Sequence, residues 1–94
     1  MIGGFKSKAL ERLWAMNDSR GIRQDHVAKV SLTLAALNRA RSLADMDQST
    51  FGFHALKGNM SGRYAVRVNR NWRVTFAWID AGPYAIDIDY EDYH

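Results

Sequence analysis

The chain has 94 residues, 47% of them hydrophobic, and its 13 Lys and Arg against 10 Asp and Glu give a formal net charge of +3. This length and composition predict one folded domain over residues 1–94 and exclude a disordered chain. The absence of cysteine excludes disulfides and thiolate metal sites. Because the amino terminus lacks the apolar core of a signal peptide and no apolar run could span a membrane, the expected location is the cytoplasm.

The first half of the chain predicts two helices. The first five residues could form a strand, although Gly3-Gly4 weakens it by its cost in backbone entropy. Ser7 is placed to cap a helix over about residues 8–17, and Asp25 to cap a second over about residues 25–43. Apolar residues at helical spacing predict the buried stripes: Leu10, Leu13, Trp14 and Met16 in the first helix, and Val27, Val30, Leu34 and Leu37 in the second.

The second half predicts strands. They lie at about residues 52–58, 63–69, 72–79 and 84–90. In the first strand His54 is also even-numbered, but the loop at 58–62 leaves the register of that strand open. In the last three strands the even-numbered residues are apolar or aromatic, and alternation predicts that these share one buried face. The members of that face are Tyr64, Val66, Val68, Trp72, Val74, Phe76 and Trp78, continued by Tyr84, Ile86, Ile88 and Tyr90. Two helices before a run of strands predict an α+β fold, with the helices packed on a mainly antiparallel sheet of four to five strands.

The odd-numbered face of the same strands is basic. Residues 53–73 contain five of the 13 Lys and Arg and no acidic residue. A three-residue turn at 69–71 would keep the two faces apart, and it would place Arg67 opposite Arg73. We call this surface the basic face, and its members are Arg63, Arg67, Arg73 and Thr75.

Like charges opposite each other on neighbouring strands are destabilising, and two explanations stay open. The charges could be screened by water or paired with Asp87 or Asp89, and a register with Trp78 opposite Tyr84 would bring Asp89 to Arg73. Alternatively, the two opposed arginines form a binding site for an anion with several oxygens, such as a phosphate, which arginine binds through two parallel hydrogen bonds.

The side chains available suit metal-free cleavage of RNA. No P-loop, GxGxxG, GxSxG or HExxH motif is present, which argues against nucleoside triphosphate, acyl-transfer and zinc chemistry. A base that deprotonates the 2′-hydroxyl and an acid that protonates the leaving 5′-oxygen are both roles for histidine, while cations stabilise the phosphoryl charge. His26 is expected to be exposed and without a role. The candidate set is His54, Lys57, Arg67, Arg73 and His94.

Three segments together resemble a known family. FHALKG (53–58), YAVRVNRNWRVTFAW (64–78) and EDYH (91–94) are similar to the matching segments of the HigB-type toxins, in the RelE/ParE superfamily of toxin–antitoxin systems. The resemblance implies a RelE-like fold and a ribosome-dependent mRNA endonuclease, without metal or cofactor, that cuts the message in the A site of the 70S ribosome and blocks translation. It also implies a cognate HigA-like helix-turn-helix antitoxin as partner.

The resemblance carries the family's functional positions onto residues of this chain. These are His54, Lys57, Arg67, Arg73, Asp92, Tyr93 and His94. The expected roles are proton transfer by the two histidines, charge stabilisation by the lysine and arginines, base stacking by Tyr93 and orientation by Asp92. The structural alternatives are that Tyr93 closes the core and that Asp92 pairs with an arginine. Two alternatives stay open. One is a ParE-like, non-enzymatic toxin that binds DNA gyrase, and the other is an inactive relic that binds only its antitoxin.

Overall fold

A computed structural model of the chain describes residues 1–92 and has two helices followed by a sheet. The elements are α1 (Lys8–Met16), α2 (Val27–Arg39), β1 (His54–Ala55), β2 (Arg63–Arg67), β3 (Trp72–Ile79) and β4 (Tyr84–Asp92). The strands lie in the order β1-β2-β3-β4, and neighbours pair antiparallel. Bridges from Ile2 to Ala85 and from Phe5 to Ile88 add the amino-terminal segment beside β4 in parallel. The predicted α+β class, with four to five strands, is therefore confirmed.

Helix α1 begins as the sequence predicts. The Oγ of Ser7 accepts a hydrogen bond from the backbone N–H of Leu10 at 3.2 Å, which is the expected N-cap. Leu10 and Leu13 are buried, but Trp14 and Met16 are 40% and 64% exposed. The predicted stripe was too wide, because at about 100° per residue these two positions fall on either side of the arc centred between the buried leucines.

Helix α2 is shorter than predicted, and its predicted cap is wrong. A 3₁₀ turn over Gln24–His26 precedes the helix, and Asp25 lies inside that turn without a capping hydrogen bond. Its carboxylate instead lies 3.6 Å from Nε of Arg23. The helix ends at Arg39 because Ala40 has extended backbone angles. The buried positions keep helical spacing: Val30, Thr33, Leu34, Ala36 and Leu37.

The hairpin between β2 and β3 has the predicted parity. Arg67 lies opposite Arg73, and the N–H of Val68 donates to the carbonyl of Trp72 at 2.9 Å. The Oδ1 of Asn69 accepts a further hydrogen bond from the Trp72 N–H at 2.9 Å and closes the three-residue turn. Strand β3 has the predicted bounds, whereas β1 is much shorter than the predicted 52–58.

Strand β4 contains a β-bulge that simple alternation does not predict. Between the pairs Thr75–Asp89 and Ala77–Ile86, β3 advances by two residues while β4 advances by three. Asp87 lies within the bulge with a φ of 50°, in the left-handed region that aspartate tolerates better than most residues. The extra residue reverses the facing of every side chain on one side of the bulge.

This reversal corrects the predicted buried face of β4. On the amino-terminal side of the bulge, Ala85 is buried and Tyr84 is 39% exposed. Ile86 lies opposite Ala77 and therefore on the basic face, so the prediction was wrong for Tyr84 and Ile86. Beyond the bulge the even-numbered positions return to the core, where Ile88 is fully buried.

The core lies between the helices and one face of the sheet. Val66, Val74 and Phe76 are fully buried there and pack with Leu10 of α1 and Leu34 of α2. The basic face is on the other side of the sheet, so the helix layer positions the hairpin without covering it. No helix within residues 1–92 has the length and apolar character needed to cross a membrane.

Candidate active site

The basic face carries a cross-strand pair of arginines. Arg67 ends β2 and lies directly opposite Arg73 of β3, an arrangement in which Cβ atoms are about 5 Å apart. Arg67 is exposed, and within residues 1–92 it forms no ion pair with a carboxylate. Arg73 is half-buried, with its Nε 3.3 Å from Oε2 of Glu91. Of the two, Arg67 is therefore the arginine whose charge no carboxylate within residues 1–92 offsets.

The predicted partner of Arg73 was wrong. Asp89 lies opposite Thr75, and its Oδ1 accepts a hydrogen bond from the backbone N–H of Tyr90 at 3.0 Å. The bulge shifts β4 so that Glu91 comes opposite Arg73 instead. Of the two opposed arginines, Arg73 is thus paired with a carboxylate, whereas within residues 1–92 Arg67 is not.

His54 joins this face through the register of β1. It lies opposite Ala65, so it shares the face of Arg67 and is a diagonal neighbour of it, a relation that places Cβ atoms about 7–8 Å apart. The Nδ1 of His54 lies 3.0 Å from the carbonyl oxygen of Gly52. A carbonyl only accepts, so Nδ1 carries a proton and Nε2 is the nitrogen available for proton transfer.

The remaining predicted residues are less completely placed. Lys57 is exposed and follows the last residue of the β1–β2 pairing, where the N–H of Leu56 donates to the carbonyl of Arg63. Asp92 lies opposite Trp72, so by register it shares the helix-side face rather than that of Arg73. The predictions for Tyr93 and His94 lie outside the described residues.

Arg63 belongs to the basic face, but its guanidinium serves the fold. Its Nη2 donates to the Oγ1 of Thr75 at 3.0 Å and to the carbonyl of Asp87 at 2.7 Å. Arg63 therefore donates hydrogen bonds to a side chain of β3 and to a backbone carbonyl in the β4 bulge. In this it differs from Arg67, which is exposed. Within residues 1–92 no group of three or more histidine, aspartate or glutamate side chains is placed to hold a metal ion.

Sequence reasoning missed a buried network around His26. The ring is 2% exposed rather than exposed as predicted. Its Nε2 lies 2.8 Å from Nδ2 of Asn69, and its Nδ1 lies 2.6 Å from the hydroxyl of Tyr90. Asn69 uses its Oδ1 for the turn, so its amide donates to Nε2 and Nδ1 carries the proton.

The network joins the helix layer to both strands that lead into the site. The rings of Trp72 and Tyr90 are tilted by 30° with centroids 4.5 Å apart, and His26 meets both rings edge-on. Burial raises the pKa of the Tyr90 phenol above its ordinary value. The hairpin turn and the end of β4 are thereby fixed relative to each other. No sequence motif marks this role, since it depends on contacts between residues far apart in the chain.

The solved structures that share this fold include a toxin–antitoxin complex. A heterotetrameric YoeB–YefM toxin–antitoxin complex from Staphylococcus aureus aligns with a TM-score of 0.63 and 21% identity, covering 100% of this chain and 98% of that one. YafQ from E. coli strain BL21(DE3) aligns with a TM-score of 0.55 and 12% identity, covering 98% and 93%. At these identities the likeness establishes the fold alone.

Sequence comparison defines the family. The family model described as RelE-like toxin of type II toxin-antitoxin system HigB matches residues 3–94. The protein named Endoribonuclease HigB from Proteus vulgaris is 32% identical over 94 residues, which is 100% of both chains. The chain belongs to the HigB-like toxins of type II toxin–antitoxin systems, as the three sequence segments predict.

Proposed function

We propose that this toxin is an endoribonuclease that cuts translated mRNA in the ribosomal A site and so blocks translation. The single observation that carries the proposal is the meeting of His54, Arg67 and Arg73 on the face of the sheet opposite the helix layer. The relative named as an endoribonuclease supports the same activity. A ribose-phosphate backbone supplies anionic oxygens that could bind between the two opposed arginines.

The chemistry we propose is attack of the ribose 2′-oxygen on the adjacent phosphate. The 2′-oxygen–phosphorus bond forms and the bond from phosphorus to the 5′-oxygen breaks, which leaves a 2′,3′-cyclic phosphate and a 5′-hydroxyl. One histidine takes the 2′-hydroxyl proton while another group donates a proton to the leaving oxygen. We assign these two transfers to Nε2 of His54 and to His94.

The cations act on charge that develops during this step. Arg67 and Arg73 would bind the non-bridging phosphoryl oxygens, and Lys57 would add a third positive charge. Tyr93 would stack on a base, and Asp92 would orient a neighbouring group. The reaction as written needs neither a metal nor a cofactor, because every proton and charge is handled by a side chain.

The partners we propose follow from the family. A HigA-like helix-turn-helix antitoxin would hold the toxin inactive, and the ribosome would hold the message in line for attack. Free RNA should therefore be cut poorly. The ParE-like alternative, in which the toxin binds DNA gyrase without cutting RNA, requires no histidine or arginine pair on this face.

Cleavage mapping on purified translating ribosomes tests the proposal. Arg67→Ala, Arg73→Ala and His94→Ala are each expected to lower the cleavage rate by about 10²-fold or more while the circular dichroism spectrum is unchanged. The matched control is Arg12→Ala, which removes an exposed arginine from α1 on the other side of the sheet and should cut normally.

Two results would contradict this function. Full cleavage by the variants would reject the site, and intact mRNA combined with inhibition of gyrase would favour the ParE-like alternative. A protein that binds its antitoxin but affects neither mRNA nor gyrase would be the inactive relic.

A further inference from the structure

We propose that Gly52 is a positioning residue that sets both His54 and Arg67. Its carbonyl oxygen fixes the imidazole of His54, and its missing side chain leaves the space that the Arg67 side chain occupies. The catalytic consequence rests on the proposed function, whereas the positioning itself is a property of the free protein. Gly52 lies outside the three segments that carry the family resemblance.

The backbone at Gly52 has a conformation that suits glycine. It follows the 3₁₀ turn Ser49–Phe51 with φ 54° and ψ 38°, in the left-handed region. This turn ends the connector from α2 and starts the chain into β1 two residues later. The left-handed conformation of Gly52 directs its carbonyl oxygen toward the ring of His54. The hydrogen bond to the histidine therefore depends on this backbone conformation.

The contact with His54 determines which ring nitrogen is free. The Nδ1 to carbonyl distance is 3.0 Å, and only a protonated Nδ1 can make that hydrogen bond. In the neutral ring, Nε2 then has the lone pair that a general base needs. An imidazole free of this contact would populate the opposite tautomer as well, with the lone pair turned toward the backbone.

The contact with Arg67 is a close approach of backbone to side chain. A Cβ built on Gly52 would lie 3.2 Å from Cβ of Arg67, 3.7 Å from its Nε and 3.8 Å from its Cζ. The Arg67 Cβ is fixed by β2 and cannot swing aside as a side-chain tip would. A methyl group at position 52 would therefore move the two segments apart and shift the guanidinium relative to Arg73 and His54.

A simpler explanation is that Gly52 is needed only for its backbone angles. The chain offers a matched control that tests this alternative. Gly58 also has positive φ, at 69°, and a Cβ built there meets nothing within 4 Å. Gly58→Ala therefore carries comparable backbone strain without pressing on a site side chain. Comparing it with Gly52→Ala separates positioning from strain.

The first measurement is the tautomer of His54 in the free wild-type protein, read from the ring ¹⁵N shifts in a long-range proton–nitrogen spectrum. We expect the protonated shift at Nδ1 and the unprotonated shift at Nε2 at a pH where the ring is neutral. Gly52→Ala should convert this to a tautomer mixture and move the Arg67 Nε–H resonance, and Gly58→Ala should change neither. A wild-type ring protonated at Nε2 would overturn the inference without any variant having to fold.

The second measurement is cleavage on ribosomes with a pH profile. Gly52→Ala should lower kcat by about threefold to tenfold, because the close contact displaces its neighbour by a few tenths of an ångström, less than the displacement of about 1 Å that costs about a hundredfold. It should also shift the acidic limb of the profile. Gly58→Ala should stay within about twofold of wild type, since it leaves that geometry alone. Equal losses in both variants would overturn the inference. If the wild type has the expected tautomer but cuts no mRNA, the proposed function fails and the positioning role stands.

Discussion

The buried His26 ring gives the clearest test of how the hairpin is held. Replacing it by leucine, of similar size, removes the hydrogen bonds to Asn69 and Tyr90. The Asn69 amide loses this acceptor, while the Tyr90 hydroxyl keeps a hydrogen bond with the backbone of Arg23. Losing a bond while its partner stays in the protein costs about 1–3 kcal/mol. Both partners are half-buried and can be reached by water, so we take the low end for each and expect a loss of about 2–3 kcal/mol in the free energy of unfolding.

For a chain of this size, 1 kcal/mol corresponds to about 4–8 °C in melting temperature, so His26→Leu should melt about 10–20 °C below wild type. Thermal unfolding followed by circular dichroism near neutral pH measures this, and urea unfolding gives the free energy directly. His54→Leu is the matched control, because that ring has one hydrogen bond to a backbone carbonyl and is half-exposed. Its expected loss is below about 1 kcal/mol.

A double-mutant cycle assigns the effect to the network. Tyr90→Phe removes the hydroxyl that His26 meets, so the loss in His26→Leu/Tyr90→Phe should be smaller than the sum of the single losses by about 1 kcal/mol. A melting temperature for His26→Leu within about 2 °C of wild type would refute the reasoning, since such a shift corresponds to less than 1 kcal/mol. Strictly additive losses would show that the two rings act separately.

Three further predictions use other contacts. Gly3→Ala should lower the melting temperature in thermal unfolding by several degrees, because the added Cβ would lie 2.9 Å from a β4 side chain. Gly4→Ala is the control and should leave the melting temperature nearly unchanged, because a Cβ there meets nothing within 4 Å. Hydrogen bonds from Arg20 lower the pKa of Asp18 from 3.8 to about 2. The pair therefore stabilises the fold fully above pH 3.8 and less as the pH falls toward 2. The difference in melting temperature between wild type and Asp18→Asn should become smaller over that range. Burial raises the pKa of Tyr90 above 10.0, so its contribution to stability is complete below that pH and is lost as the pH rises further. Tyr90→Phe should flatten the alkaline decline in stability, and ultraviolet titration of this variant should lose a late-titrating phenol.

The hairpin was predictable because two independent local signals agree there. Apolar alternation in β2 and β3 fixes the faces, and only a three-residue turn preserves them, so the opposition of Arg67 and Arg73 follows from sequence. The Ser7 cap was predictable for the same reason, since a short polar residue precedes a helical stripe. His54 could not be assigned a face, because the loop between Gly58 and Gly62 hides the register between β1 and β2.

The errors arise where tertiary contacts override a local pattern. The alternating run from Tyr84 to Tyr90 reads as a regular strand, and the bulge at Asp87 depends on the Arg63 guanidinium that reaches its carbonyl from β2. His26 follows a turn with no apolar stripe of its own, and its burial depends on Asn69 and Tyr90, which are 43 and 64 residues away. Neither contact leaves a local signal in the sequence.

The arginines of the basic face differ in the partners that the fold gives them, and that difference points to function. Glu91 forms an ion pair with Arg73, and Nη2 of Arg63 donates to Thr75 and to the carbonyl of Asp87, so both arginines have partners within the fold. Arg67 faces Arg73 across the strands, and within residues 1–92 no carboxylate pairs with it, although Glu91 shows that β4 can supply one. A local rule broken at one position while its neighbours obey it is typical of a site kept for a ligand. Because the side chain of Arg67 also lies against Gly52 beside the His54 ring, the unneutralised charge sits where a phosphate would meet the proposed base.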